Sequence, residues 1–428
     1  MSLGRRVFSV FKDEAMPNTV SRSKTFAVHA FLAVLAAGVI AGCSAGGSSV
    51  TPGGSHGRSS SNISRALPAT SPTPAPAELQ QCTDGTNSDA GCQVKRNPNY
   101  AASGAPSSGL TPSQLRSAYG LPGYSGGGVP SGPTVAIVAA FEAKHAESDL
   151  GTYRSQFGLP PCTSNNGCFT KVMMTGSKIA PGQAKKDGIA PDAATWADEI
   201  DLDLAMASAA CPNCKLLLVE AGGQDLDTLA AAENLAASYN PAAIGNSWGV
   251  VEGGGNAANI DPDAQAAFNH PGIAITASSG DLGQVQFPAS SPYVTAVGGT
   301  TLKQDATTAR GWSETVWASS GYGCSIVFPA PAWQTSAPCS SGRSTPDVSM
   351  IADYNPGVAV YNASEGGWVV LGGTSVGAPF VAGLYAAAND YGAGTFGAPS
   401  LYAGLGRLNA ISGSAGFTNG SPNGLAGF

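Results

Sequence analysis

Charge is scarce in this chain. Only 11% of its 428 residues are Asp, Glu, Lys or Arg, less than half the ~25% of ordinary domains, so there are few carboxylates to neutralise in acid. Positive charge is scarcer still. There are 21 Lys and Arg against 28 Asp and Glu, and five of those bases (Arg5, Arg6, Lys12, Arg22, Lys24) with only two acids (Asp13, Glu14) fall in residues 1–43. The remainder carries 16 bases against 26 acids, which excludes a nucleic-acid binder, a class that needs a basic surface. Long apolar runs are missing too: the one membrane-like segment, residues 26–40 (FAVHAFLAVLAAGVI), falls short of the roughly 20 residues of a spanning helix. Histidine is nearly absent, with four copies. A hydrophobic fraction of 43% nonetheless suffices for a large core and excludes a disordered or collagen-like chain.

What the chain does contain begins with an export signal. Arg22 and Lys24 precede the 26–40 segment, which runs into Ile40-Ala41-Gly42-Cys43. Basic residues, a short apolar core and a small-residue end describe a signal peptide. The ending resembles a bacterial lipobox, with Cys43 as the lipidated residue; the alternative is a differently processed signal in which Cys43 is incidental, and Met16 is a possible start. Setting Cys43 aside leaves eight of nine cysteines, the even number expected in an oxidising compartment. Short separations favour the pairs Cys82–Cys92, Cys162–Cys168, Cys211–Cys214 and Cys324–Cys339. Zinc is the rival reading of Cys211-Pro-Asn-Cys214, but no second nearby CxxC accompanies it.

Three regions follow from composition. Residues 1–43 are the signal with its lipobox-like end. Residues 44–109 are a flexible tether rich in Ser, Gly and Pro, with a small Cys82–Cys92 loop. Residues 110–428 form one domain, opening with Thr111 as cap of a short helix. Within it, apolar runs at 134–140, 215–220, 242–247, 273–277 and 294–297 read as strands. They alternate with helical patterns at 145–157, 194–210, 226–238 and 262–270, and a β-rich stretch at 357–371 precedes a helix at 376–390. This alternation predicts an α/β fold, a doubly wound, mostly parallel sheet flanked by helices.

Three clusters are candidates for chemistry. On the 194–210 helix, Glu199 and Asp203 lie four residues apart and share a face; Leu202 and Met206 flank that side and turn it toward the sheet, where paired buried carboxyls exchange protons. The competing reading is a solvated acidic first turn. Ser375, in Gly372-Gly373-Thr374-Ser375-Val376-Gly377, sits at a helix start where backbone N–H groups and the helix dipole would stabilise an oxyanion; otherwise it is only a cap. Asp281, in Ser278-Ser279-Gly280-Asp281, follows a strand at the sheet edge where active sites gather, or else closes an ordinary turn. A nucleophilic serine needs a base, yet His29 lies in the signal, His56 in the tether, and neither His145 nor His270 sits in a His-Gly-Thr motif. The base is therefore expected to be a carboxylate.

In the order Glu-x-x-x-Asp, Ser-Gly-Asp, Gly-Thr-Ser, these pieces resemble the sedolisin family of serine-carboxyl peptidases, relatives of subtilisin in which glutamate replaces histidine. The likeness spans about residues 110–390 and includes SGLTPSQLRSAYGL, CPNCKLLLVEA, IGNSWG, FPASSPYVTAVGGT and STPDVSMIAD. It implies a subtilisin-like sheet, Ser375 as nucleophile, Glu199 as general base, Asp203 hydrogen-bonded to Glu199, and Asp281 in the oxyanion hole. It also implies that Asn246, Ser247, Trp248 and Gly249 bind extended substrate by β-pairing, while Arg343 and Asp347 form a structural ion pair. With Glu199 ionised and Asp281 neutral, activity is expected at about pH 3–5. Two departures stand out. The stretch before residue 110 is too short for the large prodomain of the family, and no acid follows Asp390, where the family places calcium ligands; calcium remains possible without those acids. The resulting expectation is an exported, acid-acting endopeptidase, monomeric, lipid-anchored at the cell surface and acting on polypeptides, with an inactive binding protein on the same fold as its rival.

Overall fold

The computed structural model describes residues 79–80, 89–102, 104–124, 126–174, 190–253, 260–334, 339–388, 397–404, 408–411 and 426–427. The signal, Cys43 and most of the 44–109 stretch lie outside them.

A ten-stranded sheet organises the molecule. Its parallel centre runs, in spatial order, through Phe169–Met173, Lys215–Ala221, Thr134–Ala140, Ala243–Asn246, Ala274–Ser278, Val294–Gln304 and Val348–Ile351. Thr134–Ala140 comes first in sequence and lies between strands that follow in both directions, so the sheet is doubly wound about it. Parallel strands buried on both faces read as unbroken apolar runs, which is why TVAIVAA and KLLLVEA were legible. The edge strand Phe169–Met173, whose last three residues are only half-buried, was not.

Helix Gly377–Ala388 is buried along nearly its whole length, as expected of a helix apolar on all sides. Its close packing rests on small residues. A Cβ on Gly383 would lie 2.7 Å from Ala210 Cβ on helix Ala190–Ala210, and one on Gly245 would lie 3.3 Å from Pro379 Cα. The helix that follows Ser375 is thereby wedged between the sheet and the helix that carries Glu199 and Asp203. Helix Pro262–Ala266 is shorter than the pattern suggested, and the strand expected at 242–247 is Ala243–Asn246, followed after Ser247 by a second strand, Trp248–Val251. Three disulfides are as expected: Cys162–Cys168, Cys211–Cys214 and Cys324–Cys339. The Cys211–Cys214 bond replaces the zinc reading. Cys92 is also disulfide-bonded, and Cys82 lies outside the described residues.

Strands already occur before residue 110. Gly91–Cys92 and Lys95–Ala102 are strands, the second antiparallel to Gly367–Gly372 and the first to Trp248–Val251. Their sequence, GCQVKRNPNYAA, has no apolar alternation although residues 91–95 are buried, because polar Gln93 and Lys95 are buried there beside Cys92 and Val94.

Candidate active site

Helix Ala190–Ala210 places Glu199 and Asp203 one turn apart, and both are fully buried. The solvated-turn reading fails for the whole acidic run: Asp198 and Asp201 are 1% and 6% exposed, and Asn362 Nδ2 donates to Asp198 Oδ1 at 2.7 Å. Opposite, Gly373 enters a short 3-10 turn, Thr374–Val376, that leads into the buried helix. Ser375 is fully buried there, and its Oγ donates to Glu199 Oε2 at 2.8 Å.

Glu199 is held with its proton affinity raised well above the ordinary carboxyl range. Burial is the largest cause, the negative charge of Asp203 the next and that of Asp281 a further one, against the lowering effect of the bonds from Ser375 and Gln93. Asp203 is raised in the same direction, again by burial, although Ser247 Oγ donates to its Oδ1 at 2.6 Å and it also interacts with Glu199. Glu199 Oε1 and Asp203 Oδ2 receive a hydrogen bond from no donor. One proton shared between two such carboxyls would satisfy both oxygens and leave the pair with one negative charge.

Asp281 follows strand Ala274–Ser278. Its Oδ1 accepts from Thr374 N at 2.9 Å and from Thr374 Oγ1 at 2.7 Å, tying it to the residue before Ser375. Gly373, at φ +95°, could carry no side chain: a Cβ would sit 2.0 Å from the Gln93 carbonyl oxygen and 2.7 Å from Asp281 Oδ2. The carbonyl of Gln93 and one carboxyl oxygen of Asp281 therefore crowd the same spot in front of Ser375. Ser375 N donates to that carbonyl at 3.4 Å.

Of the four residues expected along the substrate strand, three face the strand at 91–92. Trp248 pairs with Cys92 and Gly249 with Gly91, and Ser247 O accepts from Gln93 N at 3.0 Å. Asn246 stands one residue before them. It ends the parallel strand, where its Nδ2 donates to Thr276 O at 3.4 Å and its carboxamide lies beside Glu233. Arg343 and Asp347 form the expected buried ion pair, with Asp347 also accepting from Ala296 N. His145 is exposed, and His270 bonds Asn234; neither enters the bonds around Ser375. Sequence reasoning missed Gln93 and Gln286, for which composition gave no signal, and the Ser247 hydroxyl. Among the described residues no group of three or more His, Cys, Asp or Glu is placed to hold a metal.

A family model described as the subtilase family matches residues 177–394. Kumamolisin from Bacillus sp. (strain MN-32) is 31% identical over 65% of this chain and 52% of its own length. Sedolisin from Pseudomonas sp. (strain 101) is 28% identical over 62% of this chain and 48% of its own; the chain thus spans about half the length of these curated relatives. Among solved structures, Pseudomonas sedolisin complexed with two molecules of pseudo-iodotyrostatin superposes with a TM-score of 0.60 at 26% identity, covering 75% of this chain and 92% of that one. The chain belongs to the subtilase family and is similar to kumamolisin and to sedolisin within it.

Proposed function

We propose that this protein is an exported serine-carboxyl endopeptidase that works in acid, cutting polypeptides through an acyl-enzyme on Ser375. The observation that carries the reading is the 2.8 Å bond from Ser375 Oγ to Glu199 Oε2 inside a buried site. Glu199 takes the hydroxyl proton as Ser375 attacks the scissile carbonyl, then delivers it to the departing amine. Asp203 holds the shared proton on the far side of Glu199, and Ser247 Oγ holds Asp203. The developing oxyanion meets the Ser375 N–H and, while protonated, Asp281, whose other oxygen is fixed by Thr374. Ser247, Trp248 and Gly249 offer substrate a strand edge. No step passes through a cofactor or through calcium.

The active form has one negative charge on the Glu199–Asp203 pair and a neutral Asp281. Acid beyond that range protonates the base, and alkali places a second charge beside the oxyanion. Hydrolysis of denatured haemoglobin, followed by product masses across pH 2–8, should peak below about pH 6. Internal cuts would identify an endopeptidase; release of successive tripeptides would identify an exopeptidase. A maximum at neutral or alkaline pH would contradict the carboxyl mechanism, and no cleavage at any pH would leave a binding protein on the same fold.

Export and lipid attachment at Cys43 complete the proposal. The signal composition and three disulfides support it. In a bacterial host with lipoprotein processing, Cys43→Ala should move the protein from the membrane fraction to the soluble one. Unchanged membrane retention would sink the anchor.

A further inference from the structure

The strap of chain through the cleft changes partner at the nucleophile. Gly91 and Cys92 pair antiparallel with Gly249 and Trp248, and the Gln93 carbonyl oxygen accepts from Ser375 N, where a scissile carbonyl sits in the mechanism above. Past that point the strap turns to another strand. Lys95 lies opposite Gly372, Arg96 opposite Leu371, Ala101 opposite Val369 and Ala102 opposite Trp368, all antiparallel, with the register shifted in between. Gly373 alone separates strand Gly367–Gly372 from the turn Thr374–Val376 that carries Ser375. A chain that continues beyond the nucleophile therefore passes straight onto this strand.

Gly367–Gly372 (GWVVLG) is buried at every position and pairs on its other side with Val358–Asn362. With the strap taken away, its free N–H and C=O groups would form an apolar edge, which pairs through the backbone with an extended chain of almost any sequence. One side chain is read as well. Arg96, three places past Gln93, donates from Nη1 to Glu365 Oε2. Glu365 is held in position by Asn362, whose Oδ1 accepts from Ser364 N and Glu365 N at 2.7 and 3.2 Å.

Building on the peptidase reading, we propose that the Gly367–Gly372 edge is a docking strand for the part of a polypeptide substrate that follows the scissile bond, and that Glu365 favours a basic side chain at the third residue after the cut. The occupant is an extended stretch of the substrate itself, because the strap shows one chain passing from Ser375 onto this edge without a break. A substrate takes the edge by displacing residues 95–102. Paired one to one from the Lys95–Gly372 match, without the strap's irregularity, its second to seventh residues after the cut would cover the six residues of the strand.

The test uses the purified full chain at pH 5 and quenched peptides built on one haemoglobin cut site, trimmed to two, four, seven or ten residues after the cut. The expected result is a kcat/KM that rises about 10- to 100-fold from two residues to seven, still climbing beyond four, and no further at ten. A free peptide of residues 96–102 should compete with the seven-residue substrate and spare the two-residue one. Arg in place of Ala at the third residue should raise kcat/KM about 2- to 5-fold in the wild type and not in Glu365→Gln, whose rate on the Ala peptide should be unchanged. A kcat/KM that is flat beyond four residues, an equal effect of the 96–102 peptide on both substrates, or an Arg preference that survives Glu365→Gln overturns this proposal and leaves the peptidase reading standing. No cleavage of haemoglobin or of any peptide overturns the two together.

Discussion

Glu199→Gln should lower kcat for polypeptide hydrolysis by about 10⁴-fold or more, with the fold intact. The amide matches the carboxyl in size and can still accept from Ser375 Oγ, so the 2.8 Å contact survives; what disappears is the capacity to take the proton. Ser375→Ala should fall to the same floor, and the double variant no lower, because nucleophile and base act as one unit. Asp203→Asn should cost less, roughly 10²-fold. It also replaces the carboxyl whose shared proton stabilises ionised Glu199 with a weaker donor, so the acid limb of the pH profile should move to higher pH. Steady-state kinetics on a fluorogenic peptide, with circular dichroism as the folding check, would measure all four. Glu199→Gln with more than a tenth of wild-type kcat would end the assignment.

Stability should fall as pH rises from about 4.5 to 8, and Glu233 should be a main reason. It is fully buried on helix Leu226–Ser238, and burial pushes its carboxyl up to about 8. Neither of its oxygens, nor Asn246 Oδ1 beside them, has a hydrogen-bond partner, and one proton on Glu233 would let it donate to Asn246. Glu220, also buried, is pushed up to about 7 by burial despite Lys171 at 3.0 Å. The folded-state values lie above the unfolded ones, so between them the folded chain holds more protons than the unfolded chain. The stabilisation is therefore full below about pH 4.5 and lost as pH climbs through the folded value. At ~1.4 kcal/mol per unit, Glu233 alone is worth about 3–5 kcal/mol across that span. Glu233→Gln keeps the neutral form at every pH and should raise Tm at pH 8 by several degrees while changing it little at pH 4. A wild-type Tm that is flat or rising up to pH 8, or an unaltered slope in the variant, would refute this.

Legibility in the sequence followed burial. Strands 134–140 and 215–221 announced themselves through continuous apolar residues, and Glu199 and Asp203 through their four-residue spacing beside Leu202 and Met206, all four of which are fully buried. Ser375 was marked by glycines at 373 and 377, one of which the structure explains through a positive φ and a carbonyl that a Cβ would strike. The antiparallel strands Trp312–Val316, Gly323–Pro329 and Gly342–Thr345 gave no comparable signal, since exposed and buried positions mix irregularly along the first two. The strap at 89–102 was illegible for a different reason. Its order is borrowed from neighbours that are distant in sequence, and a segment containing Lys95, Arg96, Asn97 and Pro98 looks like linker by every local measure. Gln93 illustrates the limit: its partners at 199, 247, 281, 286 and 375 come together only in the folded chain.

The central claim is that a carboxylate pair, with no histidine, activates Ser375. Its most direct test is the rate of Ser375 acylation by an active-site-titrating acyl reagent, measured in single turnovers from pH 2 to 9 on the chain and on its Asp203→Asn variant. The account predicts a maximum in acid, with the rising limb displaced to higher pH in the variant. A rate that climbs through pH 7 to a plateau, unmoved by the substitution, would contradict it.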